Sequence, residues 1–181
     1  MRIIGGQYRG KKLFSPTSDK VRPTSDKARE SLFNILSSGL EQPWNQYCLL
    51  DVFSGSGAIG LEALSRGAAT VTLIDADPAA AARNAKLFSA EQMRLKLLKA
   101  DACNLPAADK AYDIVFLDAP YNLGLSEKAL ASLKQQKWLK NGSLIIVETA
   151  KEENLPLSRE FLLTDTRCYG IAKFTFLRFR P

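Results

Sequence analysis

Leu49-Leu50-Asp51-Val52-Phe53-Ser54-Gly55-Ser56-Gly57-Ala58-Ile59-Gly60 carries an apolar run through a glycine-rich bend into a helical stretch. Glycines at 55, 57 and 60 permit a tight turn and a close backbone approach to a ligand. The same alternation continues downstream. Strands are predicted near 70–75, 95–99, 113–118 and 143–148, and helices near 57–66, 78–89 and 125–138. Strands and helices in alternation build a doubly wound, mostly parallel α/β sheet of the Rossmann-like kind, with helices on both faces. The finish differs: Phe161 to Cys168 and Lys173 to Phe179 meet through Tyr169-Gly170 with no helix between them. A terminal antiparallel hairpin is expected there.

The glycine loop has an acidic partner. Asp75 ends the second strand, 20 residues beyond Gly55, where a carboxylate accepts hydrogen bonds from ribose hydroxyls. Two cofactor classes suit such a loop. A nicotinamide dinucleotide sets its pyrophosphate on the helix N-terminus, whereas S-adenosylmethionine carries an amino group and a sulfonium. Asp51, just before the loop, suits a cationic ligand better than a diphosphate and favours S-adenosylmethionine. Asp101, after the third strand, is placed to hold an adenine amino group. Phe53, Ser56, Gly57 and Ala102 complete the expected cofactor set.

The fourth strand, Asp113 to Leu117, delivers Asp118-Ala119-Pro120-Tyr121 to the same end of the sheet. An aromatic amine is a poor nucleophile because its lone pair is delocalised into the ring. The Asp118 carboxylate and the Ala119 carbonyl can each accept one N–H, turning that lone pair out of conjugation. Pro120 stiffens the turn and Tyr121 stacks on the base. Catalysis is then positioning plus electrostatic complementarity, with the methyl group passed in a direct displacement.

Composition narrows the chemistry. The chain has 181 residues and no histidine, which excludes a histidine base, a Ser-His-Asp triad and an imidazole metal site. No metal is expected. Cys48, Cys103 and Cys168 are widely spaced and read as small buried residues of a reducing compartment. No apolar run reaches the roughly 20 residues that cross a bilayer, and the start lacks a signal-peptide pattern. A cytoplasmic monomer away from membranes is expected. Charge is uneven. Residues 1–30 hold eight basic residues against three acids, a net +5 of the chain's +6. Arg2, Arg9, Lys11, Lys12, Arg22 and Arg29 form the expected RNA-binding set. Residues 1–23 read as a basic hairpin, with strands at 2–4 and 12–14, followed by a loop. Residues 24–181 form the catalytic domain, opening with Thr24-Ser25-Asp26 as helix caps. Trp44 and Trp138 read as packing residues.

These motifs resemble the bacterial methyltransferases that modify guanine N2 in small-subunit (16S) ribosomal RNA, the RsmD type. The resemblance rests on Arg2-Ile3-Ile4-Gly5-Gly6 with Arg9-Gly10-Lys11, on Arg22-Pro23-Thr24-Ser25-Asp26 with Arg29-Glu30 and Phe33-Asn34, and on Asp51 to Gly57. Gly60 to Gly67 and Asp118 to Tyr121 extend it over nearly the whole chain. It implies a class I S-adenosylmethionine-dependent fold, seven strands with the last reversed, and S-adenosylhomocysteine as product. It also implies a target guanine against Asp118 to Tyr121, in ribosomal RNA within the small subunit or an assembly intermediate. One position departs: the family motif usually carries proline where this chain has Ala119. A methyltransferase of another nucleobase amine, a nicotinamide-dependent oxidoreductase and a non-catalytic RNA-binding factor are the competing readings.

Overall fold

The computed structural model of the chain describes residues 1–15 and 26–181. Arg22, the expected caps Thr24 and Ser25 and the boundary at residue 23 lie outside the described residues. Seven strands form one sheet: β1 (Cys48–Val52), β2 (Thr70–Asp75), β3 (Leu95–Lys99), β4 (Tyr112–Asp118), β5 (Leu139–Ala150), β6 (Phe161–Tyr169) and β7 (Ala172–Phe179). Their order is β3-β2-β1-β4-β5-β7-β6, with the first five strands parallel and β7 antiparallel to both its neighbours. The expected terminal hairpin is present, and its second strand is the one that joins the parallel sheet. Strand order reverses between β1 and β4, so their carboxyl ends frame the crevice where ligands bind in such sheets.

Two cores cover the sheet. Along β4, Ile114 and Phe116 face α1 (Asp26–Gly39), α2 (Ala58–Ser65) and α3 (Ala79–Ala85), while Val115 and Leu117 face α4 (Leu125–Gln135). A period of two sends neighbours to opposite faces, and burial on both makes the strands read as continuous apolar runs. In α1, Ala28, Leu32, Phe33 and Leu36 supply the buried stripe. Trp138 is buried, donates its indole N–H to the Pro106 carbonyl at 2.9 Å and stacks on Tyr112. Trp44 packs beside Phe33. Among the described residues no helix is long and apolar enough to cross a membrane.

Several expectations need correction. The two N-terminal strands reduce to one antiparallel bridge, Arg2 to Lys12. Ile4 and Gly5 donate their N–H groups at 2.7 and 2.8 Å to the buried Glu62 carboxylate of α2, so they build no ladder. Ile3 and Leu13 still pack in the α1-side core. The helix expected over 78–89 stops at Ala85 and passes into a 3-10 turn that breaks at Phe88, whose ring turns inward against Tyr8. The cysteines are not the buried residues expected. Cys48 and Cys103 are half-buried, and Cys168 is exposed because β6 is the outer strand, with few of its side chains covered.

Candidate active site

The glycine loop is held in place by its neighbours. Ser54 donates its N–H to the Ile74 carbonyl at 3.0 Å, and Gly57 donates to the Ser54 carbonyl at 2.7 Å to close the turn. Phe53 has φ of 58°, left-handed backbone that a non-glycine residue adopts at a cost of about 1–3 kcal/mol. Such strain persists where the surroundings over-determine it, as they do here. Gly55 is also left-handed, with φ of 51°, and open space lies where a side chain would stand. A ligand can therefore approach its backbone. Gly60 serves packing: a Cβ there would fall 2.2 Å from Leu73 Cδ2 and 2.8 Å from Val71 Cγ1. Its absence lets α2 lie tight on β2.

Asp75 clamps this loop. One carboxylate oxygen accepts the Gly55 N–H at 2.8 Å and the other accepts the Asp77 N–H at 2.9 Å. Asp51 accepts the Gly60 N–H at 2.9 Å from beneath the helix. It is 2% exposed, and burial pushes its carboxyl up to about 8, with the Gly60 N–H opposing and the Asp75 charge adding. Asp118 lies at the end of the adjoining strand. Burial first, then the charges of Glu148 and Asp51, raise its pKa well above the ordinary carboxylate range. Register explains the grouping. Asp51 pairs with Phe116 and Asp118 with Glu148, so all three acids share the face of Leu49, Phe116 and Ile146.

Tyr121 completes the turn. Its hydroxyl donates to Glu148 Oε1 at 2.9 Å. Burial, followed by the Glu148 charge and that bond, raises the phenol's pKa. Ala119 is buried, whereas Pro120 is exposed. Asp101 is exposed and caps a 3-10 turn by accepting the Cys103 N–H at 2.9 Å, and Ala102 is buried in the α4-side core.

The basic residues divide. Arg2, Arg9 and Lys12 are exposed, and Arg2 and Arg9 line a cavity of about 260 Å³ with Lys27, Asp26 and Glu30. Lys11 is half-buried: its Nζ donates to the Leu87 carbonyl at 2.6 Å and lies over the Tyr8 and Phe88 rings. Arg29 corrects its assignment to the RNA surface. It is 1% exposed, and its guanidinium donates to the Arg2 carbonyl and to Asp26 Oδ1, fastening the basic segment onto α1.

Two residues of consequence escaped the sequence reading. Glu148 is one; its signal was an acid closing the apolar run Ile145-Ile146-Val147. Asn84 is the other, fully buried, with Nδ2 donating to the Ser56 carbonyl at 2.9 Å and the Phe14 carbonyl at 3.0 Å. Phe14 returns its own N–H to Asn84 Oδ1 at 2.8 Å. One amide thus ties the end of the basic segment to the glycine loop.

The residues fit a cationic cofactor. Among the described residues, the charged groups that act on Asp51 and Asp118 are themselves acids, so a positive ligand relieves the cluster and a diphosphate aggravates it. Strand order, open glycine backbone and grouped acids together define a class I S-adenosylmethionine-dependent methyltransferase. A family model described as Conserved hypothetical protein 95 matches residues 1–178. Ribosomal RNA small subunit methyltransferase D of Escherichia coli is 42% identical over 158 residues, covering 86% of this chain and 78% of that one. Its Haemophilus influenzae counterpart of the same name is 37% identical over 180 residues, covering 96% and 91%. A solved Escherichia coli structure, 34% identical, superimposes with a TM-score of 0.83 over 100% of this chain and 98% of that one. The chain belongs to the RsmD-type methyltransferase family.

Proposed function

We propose that this chain methylates ribosomal RNA, transferring the methyl group of S-adenosylmethionine to the exocyclic N2 amine of a guanine in the small-subunit RNA. It does so as a cytoplasmic monomer, acting on the subunit or on an assembly intermediate. The observation that carries the reading is the Asp118–Tyr121 turn beside the glycine loop, in a chain whose relatives bear the name of a small-subunit ribosomal RNA methyltransferase.

Asp51, Asp75, Asp101 and the backbone from Phe53 to Gly57 would hold the cofactor. When bound, it supplies an electrophilic methyl group. Asp118 accepts one N–H of the target amine and the Ala119 carbonyl accepts the other, which frees the nitrogen lone pair. Alanine supplies that carbonyl as well as proline does, with a less rigid turn. The Tyr121 ring stacks on the extracted base, whose removal from its neighbours costs a few kcal/mol. Arg2, Arg9 and Lys12 hold the flanking phosphates, a salt-dependent contribution.

The test is a thermal shift with S-adenosylmethionine, S-adenosylhomocysteine and NADH, followed by transfer of labelled methyl to ribosomal RNA and to DNA. Stabilisation by the first two ligands and label in ribosomal RNA are expected. Stabilisation by NADH alone, or label in DNA alone, defeats the proposal.

A further inference from the structure

We propose that Phe14 and Arg83 form a stacking platform for an unpaired base of the bound RNA, set beside the glycine loop. The inference rests on reading the chain as an RNA methyltransferase.

Geometry carries it. Phe14 follows Lys12 and Leu13 in the basic segment and is 41% exposed. Its backbone is nonetheless fixed. The fully buried Asn84 of α3 accepts the Phe14 N–H at 2.8 Å and donates to the Phe14 carbonyl at 3.0 Å. The same amide donates to the Ser56 carbonyl at 2.9 Å, which places Phe14 beside the glycine loop. Arg83 precedes Asn84 on α3. Its guanidinium lies over the Phe14 ring, with Cζ 3.6 Å from the ring centroid. Leu13 turns into the core, whereas Phe14 and Arg83 are both exposed.

The pair has the chemistry of a base-stacking surface. A nucleobase is a flat ring that stacks on an aromatic side chain or on a guanidinium plane. Phe14 and Arg83 offer both, already in contact with each other. Charge agrees. Among the described residues no carboxylate lies within ion-pair distance of Arg83. Lys12 and Lys86, both exposed, lie two and three residues from the pair in sequence. Phosphates on either side of a stacked base therefore meet cations. Paired RNA hides its base faces, so the platform takes a base from a loop, a bulge or an opened pair. Extraction of the target guanine leaves such bases at its flanks.

Three variants separate stacking from charge. Phe14→Leu should weaken binding of small-subunit RNA about ten-fold at every salt concentration, because a lost stack releases no counterion. Phe14→Trp keeps a flat ring and should bind within about two-fold of the wild type. Arg83→Lys keeps the charge without the plane, and should weaken binding with the salt slope unchanged. S-adenosylmethionine affinity, read by calorimetry, should hold in all three. In the wild type, ultraviolet irradiation of the RNA complex should join Phe14 to an unpaired base, located by mass spectrometry of the cross-linked peptide. Full affinity in Phe14→Leu, a loss that Phe14→Trp shares, or an equal loss of cofactor affinity overturns the platform. Should Phe14→Leu fail to fold, the wild-type cross-link decides, and cross-links confined to other residues overturn it. If the wild type binds RNA but methylates none, the functional reading fails while the cross-link still decides the platform. If it binds no RNA, both fall.

Discussion

Replacing Asp51 by asparagine tests the electrostatics of the site while keeping its shape. The carboxyl is buried and accepts the Gly60 N–H, a bond that an asparagine carbonyl oxygen retains. Burial lifts its pKa from the ordinary 3.8 to about 8. Across that interval the folded protein holds a proton that the unfolded chain has already released. The stability this represents is fully present below the ordinary value and is lost as pH rises toward 8. Each pH unit within the interval removes about 1.4 kcal/mol from the wild type and nothing from the variant. Between about pH 5 and pH 7 the asparagine protein should therefore gain about 3 kcal/mol on the wild type. Urea unfolding of both ligand-free proteins across that range measures the difference directly. A difference that stays level with pH refutes the reasoning. The same variant should bind S-adenosylmethionine more weakly, since the carboxylate that complements its cation is gone.

Other outcomes follow from the same geometry. Asp118→Ala should slow methyl transfer by about 10²–10³-fold with cofactor affinity nearly unchanged, read by single-turnover rates and titration calorimetry. Gly60→Ala should destabilise the fold by about 2 kcal/mol, because its Cβ collides with Leu73 and Val71, and thermal melts will register it. Alanine at both Arg9 and Lys12 should lower the slope of log affinity for RNA against log salt by about 1.4, as for two lost phosphate contacts. Arg29→Met should leave that slope in place and cost about 1–3 kcal/mol of stability, measured by denaturant unfolding.

The parts of the site that are local in sequence were the legible ones. A strand, three glycines and an acid at the end of the next strand specify the loop, since each glycine answers a backbone requirement within a few residues. The mostly parallel sheet followed from the alternation of strands and helices, whereas its strand order came only with the structure. Glu148 was illegible because its meaning depends on β5 landing beside β4, which brings together residues 30 apart. Asn84 was missed for a similar reason: its partners Phe14 and Ser56 lie 70 and 28 residues away. Arg29 was misread although its spacing held a warning. Positions 29, 33 and 36 fall on one helical face, and Phe33 and Leu36 already marked that face as buried. The N-terminal strands stay short: Met1 and Ile3 pair with Gly10, Lys11 and Leu13, and the chain then turns the N–H groups of Ile4 and Gly5 to Glu62, a docking no strand propensity reveals.

The central claim is the atom that receives the methyl group. Small-subunit RNA, free and in assembled particles, should be incubated with isotopically labelled S-adenosylmethionine, digested to nucleosides and mapped by mass spectrometry. The account predicts label in N2-methylguanosine at a single position, abolished in Asp118→Ala. Label on adenine, cytosine or ribose, or none in either form of the RNA, would contradict it.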